Sequence, residues 1–259
     1  MRALVIAAGM GRRMGKLTKA KPKCLLSFGN KTLLEWTIEG LKYAGCDDIW
    51  IITGYQSKKI EKLGYNTIEN KEYRNNNILQ SFFKAKEKLD EDIIVTYSDI
   101  YVEKEILKEL VSKKGDLILT VDKSWKNYYT NRKLHPIEQA EKVILEKDLS
   151  IKEIGKDLVF NNQLEYYEFI GLFKVSKNAG LMLKNTFEYL NMKLDNKDKF
   201  QRSKSWQNAY LTDFFQYIID NKIHKIDAHI ISKGWAEFDT LEDYNRLEKV
   251  KISQNLTSL

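Results

Sequence analysis

The chain has 259 residues, 43% of them hydrophobic and 12% aromatic, and carries a net charge of +7. This composition provides enough apolar surface for a packed core and excludes a disordered or collagen-like chain. The positive charge favours a polyanionic ligand, either a phosphorylated small molecule or a nucleic acid, although a lysine-rich proteome accounts for it equally well. Because the lysines are spread along the whole chain, the nucleic-acid alternative is the weaker one.

The cysteines and the apolar runs indicate the compartment. Cys24 and Cys46 are too few for a disulfide framework and have no metal-type spacing, which predicts a reducing cytoplasm. The longest apolar run near the start, residues 3–8, is far shorter than the ~20 residues that cross a bilayer. Since the charged segment 9–13 follows it directly, we expect neither a signal peptide nor membrane insertion.

The first half of the chain alternates short strands with amphipathic helices. Runs of β-branched and apolar residues predict strands at 3–7, 48–53, 65–69, 92–97 and 117–121. Apolar residues at helical spacing predict helices at 33–43, 77–89 and 103–111. This order predicts an α/β protein with a three-layer, Rossmann-like, mainly parallel mixed sheet.

The second half is less regular. Its pattern predicts strands at 141–146, 166–175 and 225–231, and helices at 178–192, 206–221 and 241–250. The charged segment 193–204 has only two apolar residues and predicts a mobile loop. We expect one domain over residues 1–259, in which 122–259 add a substrate-binding lobe to a ligand-binding half at 1–121.

The turn after the first strand carries the most informative motif. Residues 7–18 read AAGMGRRMGKLT, and Pro22 and Lys23 follow. Glycines allow backbone N–H groups to face an anion, while arginine and lysine supply charge that suits phosphate. The motif therefore predicts phosphate binding, with an ordinary tight turn bearing solvated charges as the alternative.

Two common phosphate motifs do not fit this turn. Met14 stands where a P-loop that starts at Gly9 requires its second glycine. The same Met14 occupies the third small position of a dinucleotide fingerprint. The density of arginine and lysine favours a nucleoside triphosphate instead.

The motif resembles the signature of nucleotidyltransferases that activate phosphorylated sugars and alcohols. That family's pattern is Ala-Ala-Gly-x-Gly-Thr-Arg-Leu/Met, followed by Pro-Leu-Thr and Pro-Lys. Arg12 replaces its threonine and Lys16 its first proline. Further similarity lies in segments 49–55, 75–81 and 235–240, and in Asp99 after a strand.

The resemblance implies a reaction at the α-phosphorus of a nucleoside triphosphate, with Mg²⁺ as cofactor and pyrophosphate as leaving group. It implies that Arg13 holds the β- and γ-phosphates and that Lys23 sits on the α-phosphate. It also implies that Asp99 and Asp239 bind the metal. The residues implied for nucleotide binding are Ala7, Ala8, Gly9, Gly11, Arg13, Lys23, Asn77 and Ser81. Helix capping is the alternative role for Asn77, Ser81 and both aspartates.

Segments 121–125, 131–132, 136–141 and 169–173 resemble a subset that moves CMP from CTP to small phosphorylated amines or amino acids. Cytidylyltransferases for phosphocholine and phosphoglutamine, which serve surface polysaccharides, belong to it. A zwitterionic acceptor needs a cation site and an anion site. The candidate acceptor-binding residues are Trp125, Arg132, Glu168 and Asp213. Core packing is the alternative for Trp125, Trp206, Tyr210 and Trp235.

Other functions compete with this interpretation. A uridylyl- or thymidylyltransferase acting on a hexose 1-phosphate shares the same motifs, and a regulatory relative binds a nucleoside triphosphate without turnover. No aromatic and basic RNA-recognition motif is present, so a nucleic-acid partner is not expected. The three histidines have no ligand spacing, and we assign none to catalysis. The sequence leaves open whether the chain forms a homo-oligomer.

Overall fold

The computed structural model describes residues 1–161 and 163–248. In chain order the first half contains β1 (Arg2–Ala7), β2 (Ser27–Phe28), β3 (Lys31–Thr32), α1 (Leu33–Tyr43), β4 (Asp48–Thr53), α2 (Ser57–Glu61), β5 (Asn66–Glu69), α3 (Ile78–Phe83), β6 (Ile93–Tyr97), β7 (Ile100–Val102), α4 (Lys104–Ser112) and β8 (Leu117–Asp122). The second half contains β9 (Lys142–Leu145), β10 (Ile151–Gly155), β11 (Tyr167–Val175), α5 (Lys177–Lys193), α6 (Leu211–Asp220), β12 (Asp227–Ile231), β13 (Trp235–Glu237) and α7 (Leu241–Glu248).

Among the described residues, nine strands form one mixed sheet. Seven of them follow the order β10-β9-β11-β6-β1-β4-β5, while β8 pairs with β11 and β12 pairs with β8. β1 lies between β4 and β6 and is parallel to both. β11 runs antiparallel to β6, β8 and β9 and so joins the two halves of the chain. The predicted α/β class with a mixed sheet is confirmed.

Helices cover both faces of this sheet, which gives the predicted three layers. On one face, apolar residues of α3, α5 and α6 pack with Phe173 and Phe169 of β11. On the other face, α1 and α4 pack against β1 and β4. β1 is buried on both sides from Ala3 to Ala7, as expected for a central parallel strand.

Local signals explain where α1 begins. The Thr32 hydroxyl accepts a hydrogen bond from the Glu35 amide, and the Glu35 carboxylate accepts one from the Thr32 amide. This capping box satisfies two amides that otherwise lack a partner in the first turn. Leu34, Ile38 and Leu41 then share the buried face.

Several predicted boundaries change. The helix predicted at 77–89 ends at Phe83, and a single 3-10 turn follows at Lys86–Lys88. The helix predicted at 206–221 begins only at Leu211. The segment predicted as a loop at 193–204 has no helix or strand after residue 193, but Phe200 is buried against Trp206 and anchors it. Of the predicted helix 241–250, the last two residues lie outside the described residues.

The helices of the described chain are too short or too polar to enter a membrane as spanning segments. No helix within residues 1–161 and 163–248 has the length and apolar character needed to cross a bilayer.

Candidate active site

A cleft with a volume of about 340 Å³ opens where β1, β6 and β11 meet segments 135–141 and 235–239. Its lining draws on both halves of the chain. The predicted residues that line it are Ala7, Ala8, Gly9, Gly11, Arg13, Lys23, Asn77, Ser81, Asp99, Glu168 and Asp239. This position agrees with the rule that ligands bind at the carboxyl ends of strands in open α/β sheets.

The loop after β1, residues 8–18, is shaped by Gly11, and we call it the Gly11 loop. This residue has φ +59° and ψ +35°, a left-handed conformation that favours glycine. A Cβ atom there would lie 3.1 Å from Thr18 Cγ2 and 3.3 Å from Lys23 Cβ. Thr18 Oγ1 donates a 2.8 Å hydrogen bond to the Gly11 carbonyl and closes the loop. A Cβ atom at Gly9 would have no neighbour within 4 Å, so the backbone of Gly9 faces open space.

A small two-stranded sheet brings the two distant aspartates together. β13 pairs antiparallel with β7, with Glu237 opposite Ile100. The Phe238 amide then donates a 2.8 Å hydrogen bond to the Asp99 carbonyl. Asp99, which follows β6, and Asp239, which follows β13, therefore reach the same point of the cleft.

Lys23 lies between these carboxylates. Its Nζ is 2.8 Å from Asp99 Oδ2 and 3.1 Å from Asp239 Oδ1. Arg13 Nη1 lies 2.5 Å from Asp239 Oδ2. Burial opposes the charge on Lys23, but Asp99 and Asp239 outweigh it and raise the pKa of this lysine. Burial likewise opposes the charge on Asp239, but His135, Lys23 and Arg13 hold the pKa of this carboxyl well below its usual range.

The same residues fit a divalent cation. Asp99 and Asp239 each direct an oxygen at one ammonium group, so their carboxylates already converge on a cation. Asp239 Oδ2 is buried, pairs with Arg13 and lies 2.9 Å from His135 Nδ1. Carboxylate oxygens are the ligands that Mg²⁺ prefers. Among the described residues, His135, Glu237 and Asp239 also form a group with ligand atoms within 4.8 Å of one another.

Sequence reasoning missed His135 and Glu237. His135 Nδ1 lies 3.4 Å from Glu237 Oε2, and both residues line the cleft. No local spacing connects two residues so far apart in the chain, so only the folded structure reveals the cluster. The one available signal was the adjoining segment 136–141, which contributes Gln139 and Glu141 to the cleft.

Asn77 and Ser81 lie in the cleft and also make structural contacts. Asn77 Oδ1 accepts a 2.9 Å hydrogen bond from the Ile78 amide at the start of α3. Ser81 Oγ accepts a 2.9 Å hydrogen bond from Asn70 Nδ2 and donates to the Asn77 carbonyl. Asn77 therefore caps α3, as the alternative interpretation predicts, and both Asn77 and Ser81 still line the cleft.

Three of the predicted acceptor-binding residues lie elsewhere. Trp125 is fully buried outside the cleft lining, and its indole N–H donates to the Tyr166 carbonyl. Asp213 lies in the first turn of α6, where it accepts hydrogen bonds from the Tyr210 amide and the Ser203 hydroxyl. Arg132 is bound by Asp243 and Glu237. Only Glu168 of the predicted four lines the cleft.

Arg132 is therefore expected to act on stability. Its guanidinium is 3% exposed and lies 2.6 Å and 2.8 Å from the two oxygens of the fully buried Asp243. Replacing it with Met leaves that carboxylate without a cation, which costs about 3–5 kcal/mol for a buried pair. We expect Arg132→Met to lower the free energy of unfolding by this amount in chemical denaturation. The exposed neighbour Lys133 provides the control, Lys133→Met, and equal stability of the two variants would contradict the assignment.

Comparisons with known proteins identify the family of this chain. The sequence profile of the MobA-like NTP transferase domain matches residues 3–143. The chain is also 32% identical over 254 residues to the CTP:phosphoglutamine cytidylyltransferase of Campylobacter jejuni, covering 94% of this chain and 97% of that protein. The chain belongs to the MobA-like NTP transferase family. It is a nucleotidyltransferase, and the family resemblance predicted from the motifs is confirmed.

Two further comparisons match a smaller part of this transferase or show only its fold. The choline-phosphate cytidylyltransferase of Streptococcus pneumoniae is 34% identical over 112 residues, which is 42% of this chain and 48% of that protein. The solved structure of CTP:phosphocholine cytidylyltransferase from Streptococcus pneumoniae matches with a TM-score of 0.72 at 20% identity, over 96% of this chain and 97% of that one. This structural likeness shows the shared fold of the transferase.

Proposed function

We propose that this transferase moves CMP from CTP to the phosphate of a small phosphorylated amine or amino acid. The observation that supports it most is the meeting of Arg13, Lys23, Asp99 and Asp239 beside the Gly11 loop in one cleft. The similarity to a phosphoglutamine cytidylyltransferase over nearly the whole chain supports the choice of CTP and of this acceptor class.

In the proposed reaction an oxygen of the acceptor phosphate attacks the α-phosphorus of CTP. The bond from this phosphorus to the bridging oxygen breaks, and pyrophosphate leaves with the electron pair. The acceptor oxygen is already an anion, so no general base is needed. Positioning and charge neutralisation then supply the rate.

Each cation has a separate task in this proposal. Lys23, which is buried, moves from the two carboxylates to the α-phosphate, where charge accumulates during attack. Arg13, whose side chain is 52% exposed at the cleft mouth, holds the leaving pyrophosphate. Bidentate contacts suit arginine for this role.

Asp99 and Asp239 would hold Mg²⁺, which when bound neutralises phosphate charge and orients the triphosphate. His135 and Glu237 border this position, where His135 contacts both Glu237 and Asp239. The buried thiols of Cys24 and Cys46 suit a reaction in a reducing cytoplasm.

The test is pyrophosphate release from CTP, UTP, dTTP and GTP, each with a panel of acceptors. The panel contains phosphocholine, phosphoethanolamine, 2-aminoethylphosphonate, phosphoglutamine and glucose 1-phosphate. We expect turnover with CTP and a nitrogen-bearing acceptor. Product from UTP or dTTP with glucose 1-phosphate, and none from CTP, would replace this proposal with the hexose 1-phosphate alternative.

A further inference from the structure

A glutamate and a lysine that the proposed reaction does not use lie side by side in the cleft lining. Glu141 directly precedes β9 and Lys156 directly follows β10. These strands are antiparallel, and Gly155 lies opposite Lys142 at this end of the pair. The strand ends therefore bring the two side chains together, with Lys156 Nζ 3.7 Å from Glu141 Oε1, and both residues line the cleft.

The contact between these two charges is loose. Its distance exceeds that of a hydrogen bond, which is about 2.7–3.2 Å between nitrogen and oxygen. The side chains of Glu141 and Lys156 are 13% and 31% exposed. The Lys156 ammonium also lies 4.3 Å from the centre of the Tyr210 ring, a contact that uses none of its N–H groups as a conventional hydrogen bond. Within residues 1–161 and 163–248, both charged groups therefore keep hydrogen-bonding capacity for a ligand.

The surroundings of Glu141 favour a further cation. Burial, together with the charges of Glu237 and Asp213, raises the pKa of Glu141 to about 7, although the charge of Lys156 opposes this shift. A second cation beside Glu141 would stabilise its charged form. Burial opposes the charge on Lys156 as well, but Glu141 and Tyr210 outweigh it and raise the pKa of the lysine. Lys156 is therefore an ammonium group that an anionic ligand can approach.

Gln139 connects this pair with the phosphate-binding end of the cleft. Arg13 Nη1 lies 3.1 Å from Gln139 Oε1 and donates a hydrogen bond to it. Glu141 follows two residues later, and two residues of chain span at most about 7 Å. A ligand held by Glu141 and Lys156 therefore lies close enough to Arg13 for its other end to approach the triphosphate.

The two charges together define the chemistry of the ligand. A simple anion on Lys156 would lie beside the Glu141 carboxylate, and a simple cation on Glu141 would lie beside the Lys156 ammonium, so either ligand meets a like charge. An α-amino acid carries its ammonium and its carboxylate on one carbon, so its charges are neighbours as they are in the pair. Its ammonium can face Glu141 while its carboxylate faces Lys156, and both contacts are then charge-assisted hydrogen bonds.

We infer that Glu141 and Lys156 form a specificity subsite for the α-ammonium and the α-carboxylate of a phosphorylated amino acid. The inference rests on the proposed function and narrows its acceptor class to amino acids. The subsite holds only one end of such an acceptor, so the phosphate at the other end is free to approach the α-phosphorus of CTP.

The experiment removes one charge of the acceptor at a time. Phosphoglutamine is compared with analogues that lack either the α-carboxylate or the α-ammonium, and phosphoserine is compared with phosphoethanolamine, which lacks only the carboxylate. Each compound is measured with CTP as a substrate and as a competitor of the best acceptor. We expect the loss of either charge to lower kcat/KM about 10- to 100-fold, the effect of one hydrogen bond between charged groups.

Two variants assign each charge of the acceptor to its partner. Lys156→Met should reduce the advantage that the carboxylate gives, through a higher KM for the amino-acid acceptor and with little change in the KM for CTP. Glu141→Gln should reduce the advantage of the ammonium in the same way. Lys152 and Glu146 provide a matched control, because they are also 3.7 Å apart but are exposed and outside the cleft lining. Lys152→Met and Glu146→Gln should leave every ratio unchanged.

The results distinguish a failure of the subsite from a failure of the proposed function. Wild-type turnover that is equal with and without the two α-substituents would overturn the subsite alone. A folded Lys156→Met protein that loses activity equally towards all acceptors would also overturn it, because a purely structural role predicts that result. Absence of turnover with CTP and every acceptor would overturn the proposed function, and the subsite with it.

Discussion

Replacing Asp99 with Asn is expected to lower the rate of nucleotidyl transfer by at least about 10²-fold at saturating Mg²⁺ and CTP. Removal of one preorganised electrostatic group has effects of this size in enzymes. Asp99 Oδ2 faces the same point as Asp239 Oδ1, and the amide cannot replace its charge. The measurement is single-turnover pyrophosphate release. Asp239→Asn should lose at least as much, because this residue also anchors Arg13 and His135.

A surface variant controls for the change of charge. Asp47 is exposed and lies outside the cleft lining, so Asp47→Asn should keep wild-type turnover. Thermal unfolding of all three variants distinguishes a loss of catalytic activity from a loss of folded protein. A folded Asp99→Asn protein with near-normal turnover in Mg²⁺ would remove this residue from the proposed metal site.

Replacing Lys23 with Met is expected to reduce kcat by about 10²- to 10³-fold, with a smaller change in the KM for CTP. Interactions that strengthen in the transition state act mainly on kcat, and the charge on the α-phosphate grows during attack. Lys23→Arg should restore little of the lost kcat, because the planar guanidinium differs in shape from the compact ammonium that fits between two carboxylates. Steady-state kinetics over a CTP series provides the measurement.

Lys23→Met lowers activity but is expected to strengthen metal binding. Without nucleotide, the Lys23 ammonium occupies the place between Asp99 and Asp239, so its removal should tighten the binding of Mn²⁺ as measured by titration. The exposed Lys19 provides the control, and Lys19→Met should change neither quantity. Weaker Mn²⁺ binding by Lys23→Met would show that the lysine does not compete with a cation there.

The fold was largely predictable because its signals are local. Strand β1 has a continuous apolar run from Ala3 to Ala7, and α1 has both a helical apolar face and the capping pair of Thr32 and Glu35. The predicted ends of helices and loops were wrong where tertiary contacts, and not the spacing of apolar residues, determine the structure. The helix predicted to reach residue 89 ends at Phe83, and the polar stretch 193–204 is anchored by the buried Phe200.

The residues of the candidate site likewise divide into those that a local motif predicts and those that only tertiary contacts bring together. The loop with Gly9, Gly11 and Arg13 is one contiguous motif, so its place in the cleft followed from the sequence. The acceptor side is assembled from distant segments, and residue type alone did not tell which side of the backbone faces the cleft. Trp125 and Arg132 have suitable chemistry, yet one fills the core and the other pairs with Asp243.

We propose that the Gly11 loop holds the triphosphate of CTP opposite a divalent cation bound by Asp99 and Asp239. A crystal structure with Mn²⁺ and a CTP analogue that has a methylene bridge between its α- and β-phosphates tests it most directly. We expect an anomalous peak between the two carboxylates, with Lys23 on the α-phosphate and Arg13 on the terminal phosphates. A peak elsewhere, or an empty loop at saturating analogue, would contradict it.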